Sequence, residues 1–158
     1  MTSVATDTDK DFPTPGSPGE HTPSDALVCF GITGDLAHKQ IFPALYAMVK
    51  RGALAVPVIG VAFSQWNLDR LRERARDSIA THGGIDDQAA FDKLLGLLRY
   101  VDGDYGDAAT FAALKQALGG ARHPAHYLAI PPSLFKTVIQ ALDRAGLAEG
   151  ARVIIEKT

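Results

Sequence analysis

The chain has 158 residues, 46% of them hydrophobic and 22% charged, with a net charge of −2, enough for one ordinary domain with a buried core. The near-neutral balance excludes a nucleic-acid binder driven by bulk charge. No apolar run approaches the roughly 20 residues of a membrane span, and no basic start leads into an apolar stretch, so neither a membrane anchor nor export is expected and a cytoplasmic location is. The single cysteine, Cys29, excludes an internal disulfide framework and a cysteine-rich zinc site.

Residues 1–24 differ from the rest. Pro13, Pro15, Pro18 and Pro23 stand among Thr, Ser and Gly, and the acids Asp7, Asp9, Asp11, Glu20 and Asp25 against Lys10 leave the first 25 residues at −4 and the remainder at +2. A segment with so little to bury cannot offset its own ordering entropy, and a disordered tail is expected there, with residues 25–158 forming the folded domain.

The apolar run Ala26 to Phe30 reads as a strand buried on both faces. Helical spacing follows over Asp35 to Arg51, with Pro43 expected to kink the helix or restart it. Pro57 to Ala62 reads as a second buried strand and Asn67 to His82 as an amphipathic helix. On that helix Arg70, Arg72, Arg74 and Arg76 alternate with Asp69, Glu73 and Asp77, as on a solvated, salt-bridged surface. Asp86 to Leu98 reads as a helix, Arg99 to Val101 as a short strand, Asp107 to Leu118 as a helix, His126 to Ile130 as a strand, Pro132 to Ala145 as a helix and Val153 to Glu156 as a last strand. Strands alternating with helices predict an α/β fold with a doubly wound parallel sheet.

The informative junction is Gly31-Ile32-Thr33-Gly34-Asp35-Leu36-Ala37, between the first strand and the first helix. It has the form G-x-x-G-x-x-A of a dinucleotide-binding turn. Gly31 would make the tight turn, Gly34 would let backbone approach a pyrophosphate, and Ala37 would let helix and strand pack closely, with the helix N-terminus facing the phosphates. At the end of the second strand such folds place an acid for the ribose of NAD or a base for the 2′-phosphate of NADP. Phe63, Ser64 and Gln65 provide neither, so the residues alone leave the cofactor open. Pro131-Pro132 predicts a rigid turn at a strand's carboxyl end. Cys29, in mid-strand, reads as an inert core thiol, and His123 and His126 lack companions for a metal site.

Taken together, Gly31 to Ala37 with Lys39 and Pro43, then Val58-Ile59-Gly60-Val61-Ala62, Tyr127-Leu128-Ala129-Ile130-Pro131-Pro132 and Ile155-Glu156-Lys157, resemble the coenzyme domain of glucose-6-phosphate dehydrogenases from about Leu27 onward. The resemblance implies a Rossmann-like domain, incomplete at its C-terminal side. It further implies NADP or NAD as cofactor, and oxidation of glucose 6-phosphate to 6-phosphogluconolactone in the pentose phosphate pathway. It carries the cofactor's phosphates and adenosine ribose onto Gly31, Thr33, Gly34, Asp35 and Leu36, the nicotinamide half onto Pro131 and Pro132, and contact with the substrate onto Lys157; Ile32, inside that turn, and Ser64, able to hydrogen-bond at the end of the second strand, complete the candidate cofactor-binding residues.

Three departures stand against that pattern. Phe63 occupies the position of the family's cation on the 2′-phosphate, His38 and Gln40 stand where the family is usually basic, and Thr158 replaces the proline after the lysine. The family's catalytic base, a histidine oriented by an aspartate in a second domain, has no counterpart here. The expectation is therefore a coenzyme-binding part that is inactive alone, meets glucose 6-phosphate only when the substrate domain is supplied, and associates through an exposed sheet edge. The other readings are a non-catalytic nucleotide-binding or regulatory module that associates with a full-length dehydrogenase, and a degraded gene product.

Overall fold

The computed structural model describes residues 24–155. They form a five-stranded, wholly parallel sheet in the order β3-β2-β1-β4-β5. The strands are β1 (Ala26–Phe30), β2 (Val58–Ala62), β3 (Leu98–Asp102), β4 (Pro124–Leu128) and β5 (Arg152–Ile155). The helices are α1 (Phe42–Lys50), α2 (Leu68–Thr81), α3 (Gln88–Leu97), α4 (Ala108–Leu118) and α5 (Phe135–Arg144). No described helix is long and apolar enough to cross a membrane.

The continuous apolar runs are explained by two cores, one on each face of the sheet. Leu27 and Cys29 of β1 join the cluster under α1, α2 and α3. Ala26, Val28 and Phe30, pointing the other way, join the cluster under α4 and α5. A strand covered on both faces has no polar side to show, as expected for a doubly wound sheet. Cys29 is fully buried, which pushes its thiol up to about 12, in keeping with an inert core role.

Pro43 restarts the helix. Ala37–Ile41 form a wide π-turn in which the Phe42 N–H donates to the Ala37 carbonyl, and α1 then begins with Pro43 in its first turn. Proline has no N–H for the carbonyl four residues back and its ring crowds that oxygen, so widening the preceding turn relieves the conflict. Three other helices start on side-chain caps: Asn67, Asp87 and Asp107 accept from the N–H groups of Arg70, Ala90 and Ala109.

Two expectations need correcting. The fourth strand begins two residues earlier than His126, because Pro124 and Ala125 pair in register with Ala26 and Leu27; proline is tolerated as a strand's first residue, where its missing donor costs no central ladder bond. Among the described residues the arginine face of α2 holds one weak ion pair, Arg72 with Asp69 at 4.0 Å. Arg70 stacks over Trp66 and Arg76 over Phe91, at 4.6 and 4.9 Å from the ring centroids, so these side chains cover apolar rings more than they pair with acids.

Candidate functional site

The strand order places a switch point between β1 and β4, since the chain runs outward from β1 through β2 to β3 and then returns to build β4 and β5 on the other side. Open α/β sheets bind ligands in the crevice at the carboxyl ends of the strands beside such a point. The segments singled out in the sequence converge there. Gly31 follows β1, with φ +86, and its N–H donates to the Val61 carbonyl at 2.8 Å. The Ala129 N–H donates to the Phe30 carbonyl at 2.9 Å, which holds the end of β4 against the start of the glycine turn.

Each residue of that turn has a distinct task. The Ile32 side chain is fully buried and packs toward β2, where an added Cβ on Gly60 would come within 2.7 Å of it; only its backbone is left for a ligand. Gly34 donates to the Gly31 carbonyl at 3.0 Å, and the His38 N–H to the Gly34 carbonyl at 3.2 Å. A Cβ on Gly34 would meet only that Gly31 oxygen, at 3.5 Å. The space outside Gly34 is therefore open, and the N–H groups of the first helical turn beside it have no carbonyl one turn earlier to bind. Asp35 is exposed and Leu36 half-buried.

The turn is tied to the end of β2 through two hydroxyls, Thr33 Oγ1 and Ser64 Oγ, 2.8 Å apart. Phe63 beside them is 61% exposed. Pro131 and Pro132 are exposed at the far side of the crevice, where the Leu134 N–H donates to the Pro131 carbonyl at 2.9 Å and closes a short 3₁₀ turn, Pro132–Leu134. Lys157, expected to face a phosphate, lies outside the described residues.

Three functional features escape a reading of the sequence. Gly60 is needed for the Ile32 side chain. Tyr105 packs edge-on against Phe30 at 5.8 Å and donates to the Val61 carbonyl at 3.2 Å; burial pushes its hydroxyl up to about 12, so it stays protonated and seals the sheet end. Asp102, at the end of β3, gathers the N–H groups of Ser64, Gln65 and Trp66. An acid closing a strand beside an uncharged loop was the available signal.

One histidine–aspartate pair does occur: His38 Nε2 and Asp77 Oδ2 are 2.8 Å apart, with the His82 ring edge-on to His38 at 5.1 Å. Asp77 is the tenth residue of α2, and His38 stands one turn after Gly34, so the pair ties α2 to the helix that follows the glycine turn. A cavity of about 360 Å³ opens between α4 and α5, lined by Tyr105, Phe111, Lys115 and Arg144 among others. It lies in the opposite helix layer from the π-turn.

Residues 28–158 match the family model described as glucose-6-phosphate dehydrogenase, NAD binding domain. The chain belongs to the glucose-6-phosphate dehydrogenase family. Glucose-6-phosphate 1-dehydrogenase 1 of Mycobacterium tuberculosis is 43% identical over 134 residues, which are 85% of this chain and 28% of that protein. Glucose-6-phosphate 1-dehydrogenase of Mycolicibacterium smegmatis is 36% identical over 152 residues, covering 89% of this chain and 30% of its own length. The crystal structure of glucose-6-phosphate 1-dehydrogenase from Mycobacterium avium superposes with a TM-score of 0.81 at 46% identity, over 86% of this chain and 30% of that one. A glucose-6-phosphate dehydrogenase solved in complex with glucose 6-phosphate gives 0.76 at 29% identity, over 89% and 32%. The chain thus spans under a third of the length of these dehydrogenases, and what it shares with them is the coenzyme domain of the family.

Proposed function

We propose that this chain is the coenzyme-binding part of a cytoplasmic glucose-6-phosphate dehydrogenase, taking NADP or NAD at the carboxyl edge of β1, β2 and β4. The observation that carries the reading is the glycine turn at the switch point: Gly31 is held against the end of β4, while Gly34 faces open space at a helix start. A pyrophosphate lying over Gly31 to Leu36 would meet backbone N–H groups and the positive end of the helix dipole. The adenosine ribose would lie toward Thr33 and Ser64, with the exposed ring of Phe63 offering the adenine an apolar face. Pro131 and Pro132 would border the nicotinamide half.

When bound, the cofactor supplies the hydride acceptor for oxidation of the C1 hydroxyl of glucose 6-phosphate. What the described residues contribute is binding and orientation, and Lys157 is assigned to the sugar phosphate by its place in the family motif. The substrate domain of the longer relatives would supply the general base and the sugar pocket. Titration of the purified chain with NAD and with NADP by calorimetry tests the reading. Saturable one-to-one binding of either supports it, and heat of dilution alone from both overturns it.

A further inference from the structure

The loop joining β2 to α2 contains no charged residue from Phe63 to Asn67, yet it is organised around a carboxylate from the neighbouring strand. Asp102 closes β3 as the register partner of Ala62. Its Oδ1 accepts from the backbone N–H groups of Ser64 at 3.1 Å, Gln65 at 2.8 Å and Trp66 at 3.4 Å, and from the Tyr100 hydroxyl. Drawing three consecutive donors onto one oxygen requires a sharp backbone turn. Gln65 makes it at φ +60, which no other non-glycine among the described residues adopts and which a side chain takes only when its surroundings impose it.

Two consequences bear on the nucleotide. Partial burial pushes the Asp102 carboxyl up, but its four donors outweigh that and hold it below the ordinary carboxylate range, so it is ionised at neutral pH. All four described bonds fall on Oδ1, and the residue is exposed, which leaves Oδ2 able to accept another donor. Dinucleotide folds that select NAD place an acid at the end of the second strand to accept the ribose 2′-hydroxyl. Here that strand ends in Ala62 and Phe63, and the acid stands one strand over, joined through Ser64 to Thr33 of the glycine turn.

Resting on the nucleotide site proposed above, we infer that Asp102 is its specificity-determining residue: the second carboxylate oxygen accepts the 2′-hydroxyl of the adenosine ribose, so the chain takes NAD in preference to NADP. A 2′-phosphate at that place meets an ionised carboxylate. The cation in the first turn of α2, Arg70, is stacked over the ring of Trp66 in that loop, at 4.6 Å.

The test titrates the 158-residue chain with NAD, with NADP and with NAD carrying 2′-deoxyribose on its adenosine side. NAD binds tighter than NADP by about tenfold or more, and loss of the 2′-hydroxyl weakens NAD by about tenfold, the usual worth of a hydrogen bond to a charged group. Asp102→Asn keeps an acceptor oxygen for the loop and removes the charge. It raises NADP affinity relative to NAD by about tenfold and makes the deoxy analogue bind like NAD. A carboxylate that only shapes the loop leaves the ratio of the two cofactors unmoved when it is replaced, even if both weaken. Equal or tighter NADP binding by the unaltered chain, or a deoxy analogue that binds it as well as NAD does, overturns the inference without touching the nucleotide site, and both readings need no variant. Failure of both dinucleotides to bind overturns the site and this inference together.

Discussion

The missing side chain of Gly31 points at the carbonyl group of Ala129. A Cβ built there overlaps the oxygen and comes within 2.9 Å of its carbon and 3.0 Å of Ile130 Cγ2, while φ +86 is itself a conformation glycine adopts freely. Sequence, backbone and the meeting of two strand ends thus require glycine at one position. Gly31→Ala is expected to destabilise the domain by about 3 kcal/mol or more, combining left-handed strain of roughly 1–2 kcal/mol with displacement of the end of β4. Urea denaturation of the variant beside the parent checks this; a midpoint within error of the parent's would mean that the turn is looser than described.

Gly34, three residues on, gives the opposite expectation. A Cβ there has room, with the Gly31 oxygen at 3.5 Å, so Gly34→Val should cost the fold under about 1.5 kcal/mol. It places a branched side chain where the pyrophosphate is proposed to approach, and binding of both dinucleotides should fall by about a hundredfold or more, as one to two phosphate contacts are lost. Calorimetry and denaturation on the same preparation separate the two effects. Retained binding would remove the phosphates from this turn.

The contrast between these two glycines marks how far the sequence could be read. The Gly31 turn was legible because a glycine directly after a buried strand is a local signal, and β1 was legible because both of its faces are apolar. Gly60 was not, because its reason is the Ile32 side chain 28 positions earlier in the chain. Asp102 was not, because its bonds reach 36 to 38 residues back. The start of β4 was misplaced because Pro124 reads as a breaker until its pairing with Ala26 is known. Local chemistry writes itself into adjacent residues, whereas a contact across strands leaves only two unremarkable letters.

His126 makes the stability depend on pH. It is fully buried in β4, its Nε2 lies 3.0 Å from the Leu147 carbonyl, and its Nδ1 is buried without a partner. A carbonyl can only accept, so the Nε2 carries the proton and the ring is neutral. Burial drives its pKa down to about 4, with the bond to Leu147 opposing. The unfolded chain titrates this group near 6.5. Between those values the unfolded state holds a proton that the folded state refuses, so stability is fully present above about pH 6.5 and declines as pH falls toward 4. The decline amounts to about 2 kcal/mol at pH 5. His126→Leu, which loses the hydrogen bond and about 1 kcal/mol at pH 7, should lose less on acidification than the parent. Urea midpoints for both proteins at pH 7 and pH 5 provide the comparison, and parallel losses would show that the decline arises elsewhere.

The 158-residue polypeptide, assayed as it stands, should not oxidise glucose 6-phosphate. Hydride transfer from C1 requires that the hydroxyl proton be taken by a base within hydrogen-bond reach of it. The described histidines are engaged away from the place where that base would stand, beside Pro131 and Pro132. His123 sits before β4 and lies 3.1 Å from the Gly150 carbonyl, His126 is sealed inside the sheet, and on the layer of α2 His38 meets Asp77 while the His82 ring lies edge-on to His38. His38 with Asp77 has the composition of a catalytic pair. It ties α2 to the first helix, on the side of the proposed adenosine half, whereas Pro131 and Pro132 follow β4 on the other side of the switch point. Glucose 6-phosphate with NAD and with NADP, followed at the nicotinamide absorbance on monodisperse protein, should give no rate above background under conditions where calorimetry detects the cofactor. If turnover appears, His38→Gln tests its source: an abolished rate would make that pair the base, and an unchanged rate would require a base other than that pair.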